Sequence, residues 1–128
     1  MAEMSNYLEN ALINATLRNT SYTSPAAVYV GLYTTDPTDA NSGTEVSGGS
    51  YSRTAVTMGA PSDGVSTNSG AVTFPTATST WGTVGWIGIL DASTSGNLLY
   101  HSPLDASKSI TAGDIFTIAI GNLSVTLG

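Results

Sequence analysis

Cysteine is absent from the 128 residues, so no disulfide framework, thiolate nucleophile or Cys-type zinc site can form. Positive charge is almost as scarce: Arg18, Arg53 and Lys108 are the only Lys or Arg residues, and the formal net charge is −6. With no basic stripe to neutralise phosphates, the composition argues against nucleic-acid binding. An anionic membrane surface is disfavoured for the same reason. Charged residues of both signs make up 9% of the chain, where an ordinary domain carries about a quarter. The polar surface must therefore come from Ser, Thr, Asn and Gly. A neighbour can cover such groups without desolvating a charge, which points to a domain that works inside an assembly. Long apolar runs are missing too, and none approaches the ~20 residues that span a bilayer. The opening MAEMSNYLEN has no basic segment followed by an apolar one, so no signal peptide is expected. A chain made soluble, leaving the cell by some other route, is the expectation.

What is present is a change of period. Leu8, Ala11, Leu12 and Ala15 fall on one face at helical spacing. Asn6 with Glu9 resembles a capping box, Ser5 competes for the cap, and Arg18 lies near the end where a cation complements the dipole. The stripe is narrow and half Ala, so the helix needs a partner surface. After Ser24-Pro25 the period falls to two: Val28, Val30 and Leu32 alternate with Tyr29, Gly31 and Tyr33, as in a strand. A polar loop follows over residues 34–50. Further strands are expected at residues 51–58, 65–68, 71–74, 83–90, 98–101, 108–111 and 115–120, with Leu123, Val125 and Leu127 alternating to the end. The interleaved Gly85 and Gly88 would weaken their strand unless the backbone is closely approached or bulged there. Ser102-Pro103-Leu104 is expected to end one strand, and residues 91–97 to form a hairpin loop.

Turn signals at about ten-residue spacing give a mainly β class: an antiparallel β-sandwich or jelly-roll-like domain with one N-terminal α-helix. Residues 1–24 read as a helix or arm and residues 25–128 as the sandwich, without a linker between two domains.

Candidate chemistry is thin. With Asp36 as the first position of a calcium loop, the third is Thr38, the fifth Ala40, the sixth Asn41 and the twelfth Ser47, and most positions fail. Asp36, Asp39 and Asn41 read better as turn formers bonding their own backbone, on a loop that is an exposed or interfacial tip. His101 is the lone histidine, and a metal held by it would need carboxylates from distant loops. No G-x-S-x-G elbow or phosphate-binding Gly-Lys motif occurs. The expectation is no catalytic residue, no cofactor and no metal. Trp81, Trp86, Tyr29, Tyr33, Tyr51 and Tyr100 could build a carbohydrate platform, but core and interface packing is the commoner use of large aromatics.

Three blocks carry a resemblance: residues 7–56, with "GLYTTDPTD" and "GGSYSRTAV"; "VTFPTAT" through "WGTVGWIGILDA" to "GNLLYH"; and "AGDIFTIAIGNLSVTL". Together they resemble a family of small virion proteins of tailed bacteriophages and prophages, often labelled tail-fibre or virion structural proteins. The resemblance implies a structural virion component, assembled in the host cytoplasm, without catalysis. The first expectation is capsid cement, binding between major capsid protein subunits and self-associating as a dimer or trimer, with no nucleic-acid or membrane partner. Tyr7, Leu8, Leu12 and Arg18 of the helix, and Tyr33, Asp36, Asp39 and Tyr51 around the long loop, are the expected interface residues. The alternative is a tail-fibre or tail-tip component touching host surface glycans.

Overall fold

A computed structural model describes residues 2–127. One five-stranded antiparallel sheet organises the chain. It runs β1 (Glu3–Met4), β7 (Leu98–Ile110), β6 (Gly82–Leu90), β2 (Val28–Tyr33), β3 (Thr54–Val56) across its width. The helix α1 (Asn6–Leu17) packs against β7. Two short antiparallel ladders, β4 (Val65–Thr67) with β9 (Ser124–Thr126) and β5 (Val72–Thr73) with β8 (Thr117–Ile118), supply the second layer. The fold is mainly β with one N-terminal helix, as the period change predicts.

The main core lies between the layers. Val30, Leu32, Ile87 and Ile89 from the sheet meet Val72, Phe74, Phe116, Ile118, Leu123 and Val125 from the ladders. Phe74 stands edge-on to Phe116, and Tyr51 stacks on Phe74 and stands edge-on to Trp81. Asn68, 1% exposed, ties the two ladders together. Its amide donates to the Gly70 and Ala119 carbonyls at 2.9 and 3.0 Å and accepts from the Leu123 N–H at 3.0 Å.

Local chemistry explains most element ends. Ser5, not Asn6, caps α1: its hydroxyl accepts the Leu8 N–H at 3.2 Å and donates to the Leu98 carbonyl. Asn6 is already the first helical residue, so the Asn6–Glu9 capping box does not form. The helix stops where Asn19 turns left-handed, at φ 54°, and Thr20 N–H reaches back to the Asn14 carbonyl. In the β6–β7 hairpin, Asp91 accepts both the backbone and the side-chain N–H of Asn97 across residues 91–97.

Three strand expectations change, the simplest being that the strand expected over residues 115–120 shrinks to β8, because Ile115 and Ile120 face outward. β7 continues through Pro103 rather than ending there. Pro103 pairs with Trp86 and Lys108 with Val84, so residues 104–107 oppose Gly85 alone. A proline is tolerated at such a bulge because the ladder there needs no N–H from it. The strand expected over residues 51–58 shrinks to β3, since Tyr51 and Arg53 turn to other partners. The pair β1–β7 has no counterpart in the sequence pattern; it docks Glu3 opposite His101 and Met4 opposite Tyr100 at the sheet edge.

Candidate functional site

The face of the sheet away from the main core is shaped by two glycines. Gly31 and Gly88 are cross-strand partners. A Cβ on Gly88 would lie 2.7 Å from Leu98 Cδ1 and 2.9 Å from Tyr33 Cε1, and one on Gly31 would lie 2.9 Å from Glu45 Oε2. These are strand glycines needed for close approach. The Tyr33 ring, 2% exposed, lies against this strip and donates its hydroxyl to Asn41 Oδ1 at 3.1 Å. The loop after β2 is therefore folded back onto the sheet. Its Pro37 is fully buried and anchors a loop whose other residues are mostly exposed, as expected of an exposed or interfacial tip.

Several polar residues of that loop have a local task. Asp36 accepts the Thr38 N–H at 2.9 Å, the turn-forming use expected of it, and Thr38 takes φ 58°. Asp39 accepts the Asn6 N–H through its carbonyl, while its Oδ1 lies 2.7 Å from His101 Nε2. Glu3 Oε2 stands 3.9 Å from the same nitrogen. Three segments remote in sequence, β1, the loop and β7, converge there.

A second node lies beyond Gly31. Arg53 donates to both oxygens of Glu45, at 2.9 and 2.8 Å, and its remaining nitrogen donates to the Ala92 and Ser95 carbonyls. Tyr51 donates to Glu45 Oε2 at 2.6 Å and accepts the Leu32 N–H at 2.9 Å. This hydroxyl completes the edge of β2 where β3 has ended. Burial, reinforced by the hydrogen bond to the Glu45 carboxylate, raises the Tyr51 pKa. Burial also pushes Tyr33 up to about 12, aided by the Glu45 charge and opposed by Arg53. The bond to Glu45 raises Arg53. One of the three cations is thus internal. Sequence reasoning missed the pair, although the scarcity of cations was a signal that each would be placed with care.

The eight residues expected at an interface divide by exposure. Tyr7, Arg18 and Asp36 are exposed, Leu12, Asp39 and Tyr51 are half-buried, and Leu8 and Tyr33 are buried. Among the aromatics, Trp81 is buried with its indole N–H on the Gly49 carbonyl at 2.8 Å, while Tyr29, Trp86 and Tyr100 are half-buried. On the outer side of α1, Ile13 and Leu17 are exposed at 53% and 79%. Ile115 and Ile120, flanking β8, are similarly uncovered.

Comparison with known proteins gives the family. No curated protein matches the chain. The family model described as "Podophage GP4 fiber I protein gp80" matches residues 3–126, which include every strand and the helix. The length of that match assigns the chain: it belongs to the Podophage GP4 fiber I protein gp80 family of phage virion structural proteins.

Proposed function

We propose that the chain is a non-enzymatic structural component of a podophage fibre, carried in the virion. The observation that carries this reading is the family match over residues 3–126, whose description is a fibre protein. It reverses the order of the two sequence expectations, because nothing in that description concerns a capsid shell, and cement loses its place as the first reading. The side chains best suited to chemistry have partners inside the fold, His101 with Asp39 and Glu45 with Arg53.

Contacts of the fibre would use surface that is apolar or uncharged. The outward side of α1, with Ile13, Leu17 and Tyr7, meets that description, as do Ile115 and Ile120. Covering such positions desolvates no charge, and many copies of a modest contact add through avidity. Self-association as a dimer or trimer fits this surface. Of the six aromatics weighed for a glycan platform, Trp81 and Tyr33 are buried and Tyr51 packs into the core, so contact with host glycans would fall to the half-buried Tyr29, Trp86 and Tyr100.

Cryo-electron microscopy of purified virions, with this chain's density located, is the test. Density on the tail fibres is expected. Density spread over the capsid lattice would overturn the fibre role and restore cement.

A further inference from the structure

The lone histidine lies where its nearest oxygens are carboxylates. His101 Nε2 is 2.7 Å from Asp39 Oδ1 and 3.9 Å from Glu3 Oε2, and one ligand atom from each of the three residues falls within 4.8 Å of the others. The His101 side chain is 6% exposed, so the ring is held by the fold, whereas the Glu3 and Asp39 side chains are 72% and 46% exposed and free to adjust. Glu3 and Asp39 also border an open recess whose lining includes Glu9 and Thr126, with His101 beneath them rather than in its wall. No Lys or Arg neutralises it. Arg53 is bound to Glu45, Arg18 caps the far end of α1, and Lys108 pairs with Val84 at the other end of β7. Among the described residues, only the His101 ring nitrogen lies within 4.0 Å of the Glu3 or Asp39 carboxylates as a basic partner.

We propose that Glu3, Asp39 and His101 form a site for one borderline divalent transition-metal cation of zinc type. Tetrahedral zinc with ligand bonds of about 2.1 Å keeps neighbouring ligand atoms about 3.4 Å apart. The observed 2.7 and 3.9 Å straddle that value. Opening the first and closing the second calls for movements of about 0.7 and 0.5 Å, and the Glu3 and Asp39 oxygens, within 4.8 Å of each other, would approach by up to about 1.4 Å at an open site. An imidazole nitrogen with two carboxylates selects a zinc-like ion over calcium or magnesium, which take oxygen ligands. Three protein ligands leave further positions to water. The ion would link β1 and the loop after β2 across β7. The sequence alone could not reveal this, because the carboxylates that His101 lacks nearby come from residues 98 and 62 positions earlier.

Calorimetric titration of the chelator-treated chain with zinc chloride tests the site, beside Glu3→Gln, Asp39→Asn and a parallel calcium titration. Glu3 is exposed, and the amide introduced by Asp39→Asn can accept from or donate to His101, so both variants should keep the fold, with circular dichroism as the check. Wild type should bind one zinc per chain and melt at higher temperature with it. Each variant should bind about 10-fold more weakly or worse, since even outer-shell changes commonly cost that much. Absence of saturable zinc binding, undiminished binding by Glu3→Gln, or calcium binding of equal strength would overturn the proposal.

Discussion

Arg53 shows how much one side chain does in a chain so poor in cations. It fills both oxygens of Glu45 and two hairpin carbonyls while its side chain is only 10% exposed. Removing one partner of such a pair leaves a buried charge without compensation, so Arg53→Ala should lose about 3 kcal/mol of stability. Arg53→Lys should recover only part of it, because an ammonium cannot reproduce the planar fork. Urea denaturation of the two variants checks the order; equal stability of both with wild type would show that the network is idle. Tyr33 makes a pH prediction. Its folded pKa, about 12, lies above the unfolded value of about 10. The folded state therefore holds the phenolic proton longer than the unfolded state does. The stability linked to Tyr33 is complete below pH ~10 and is lost as pH rises toward ~12. Tyr51 shifts in the same direction and steepens the loss. Tyr33→Phe should flatten this alkaline decline, at a cost near neutral pH of about 1 kcal/mol for the bond to Asn41.

At the scale of elements, the glycines of β6 separate two uses of one residue type. Gly88→Ala would drive a methyl into Leu98 and Tyr33, whereas a Cβ on Gly85 meets nothing within 4 Å. The first should destabilise by about 1–3 kcal/mol, and the second should be neutral or slightly stabilising. Thermal melts of the pair test whether the strip under Tyr33 is as closely packed as its geometry requires. Ser5→Ala removes the cap of α1 and the hydroxyl's bond to Leu98 of β7 together, leaving the backbone bond to Leu99, and a loss of about 1–2 kcal/mol is expected. Sequence pattern located α1, β2, β6 and the β6–β7 hairpin well, because each repeats its apolar signal over several residues. It misjudged β7, where the proline rule was overridden by a bulge, and missed β1, two residues long and without a pattern of its own. The loop after β2 is mostly exposed, but its anchors were not legible. Its composition is that of an exposed turn, yet Pro37, Asn41 and Asp39 attach it to Tyr33, α1 and β7.

For the whole molecule, the N-terminal region and the sheet must be considered together. Deleting residues 2–19 would remove β1, the buried Leu8 and the cover over β7 at once. Such a truncation should lower the melting temperature sharply, and its loss from virions would not by itself identify an interface. Substituting Ile13 and Leu17 by Ser is the cleaner experiment. These exposed side chains should leave stability within about 0.5 kcal/mol, while incorporation into the fibre should fall. Unchanged incorporation would remove the outward side of α1 from the contact surface. Analytical ultracentrifugation of the purified chain, with Ile115→Ser and Ile120→Ser beside it, tests self-association: a dimer or trimer weakened by the substitutions is expected, and a wild-type monomer would count against it.

Composition and period by themselves determined the class. Few cations, no cysteine, one short amphipathic stretch and many short alternating ones allow a mainly β domain without thiol chemistry. Those properties are local, and a local pattern is read from neighbours in the chain. The tertiary structure decided which polar residues serve the fold and which face outward. Glu45 meets Arg53, Asn68 meets residues 119 and 123, and His101 meets Asp39 and Glu3 only after the strands have paired. The cost of burying a polar group depends on the partner found there, and antiparallel register chooses that partner from across the sheet.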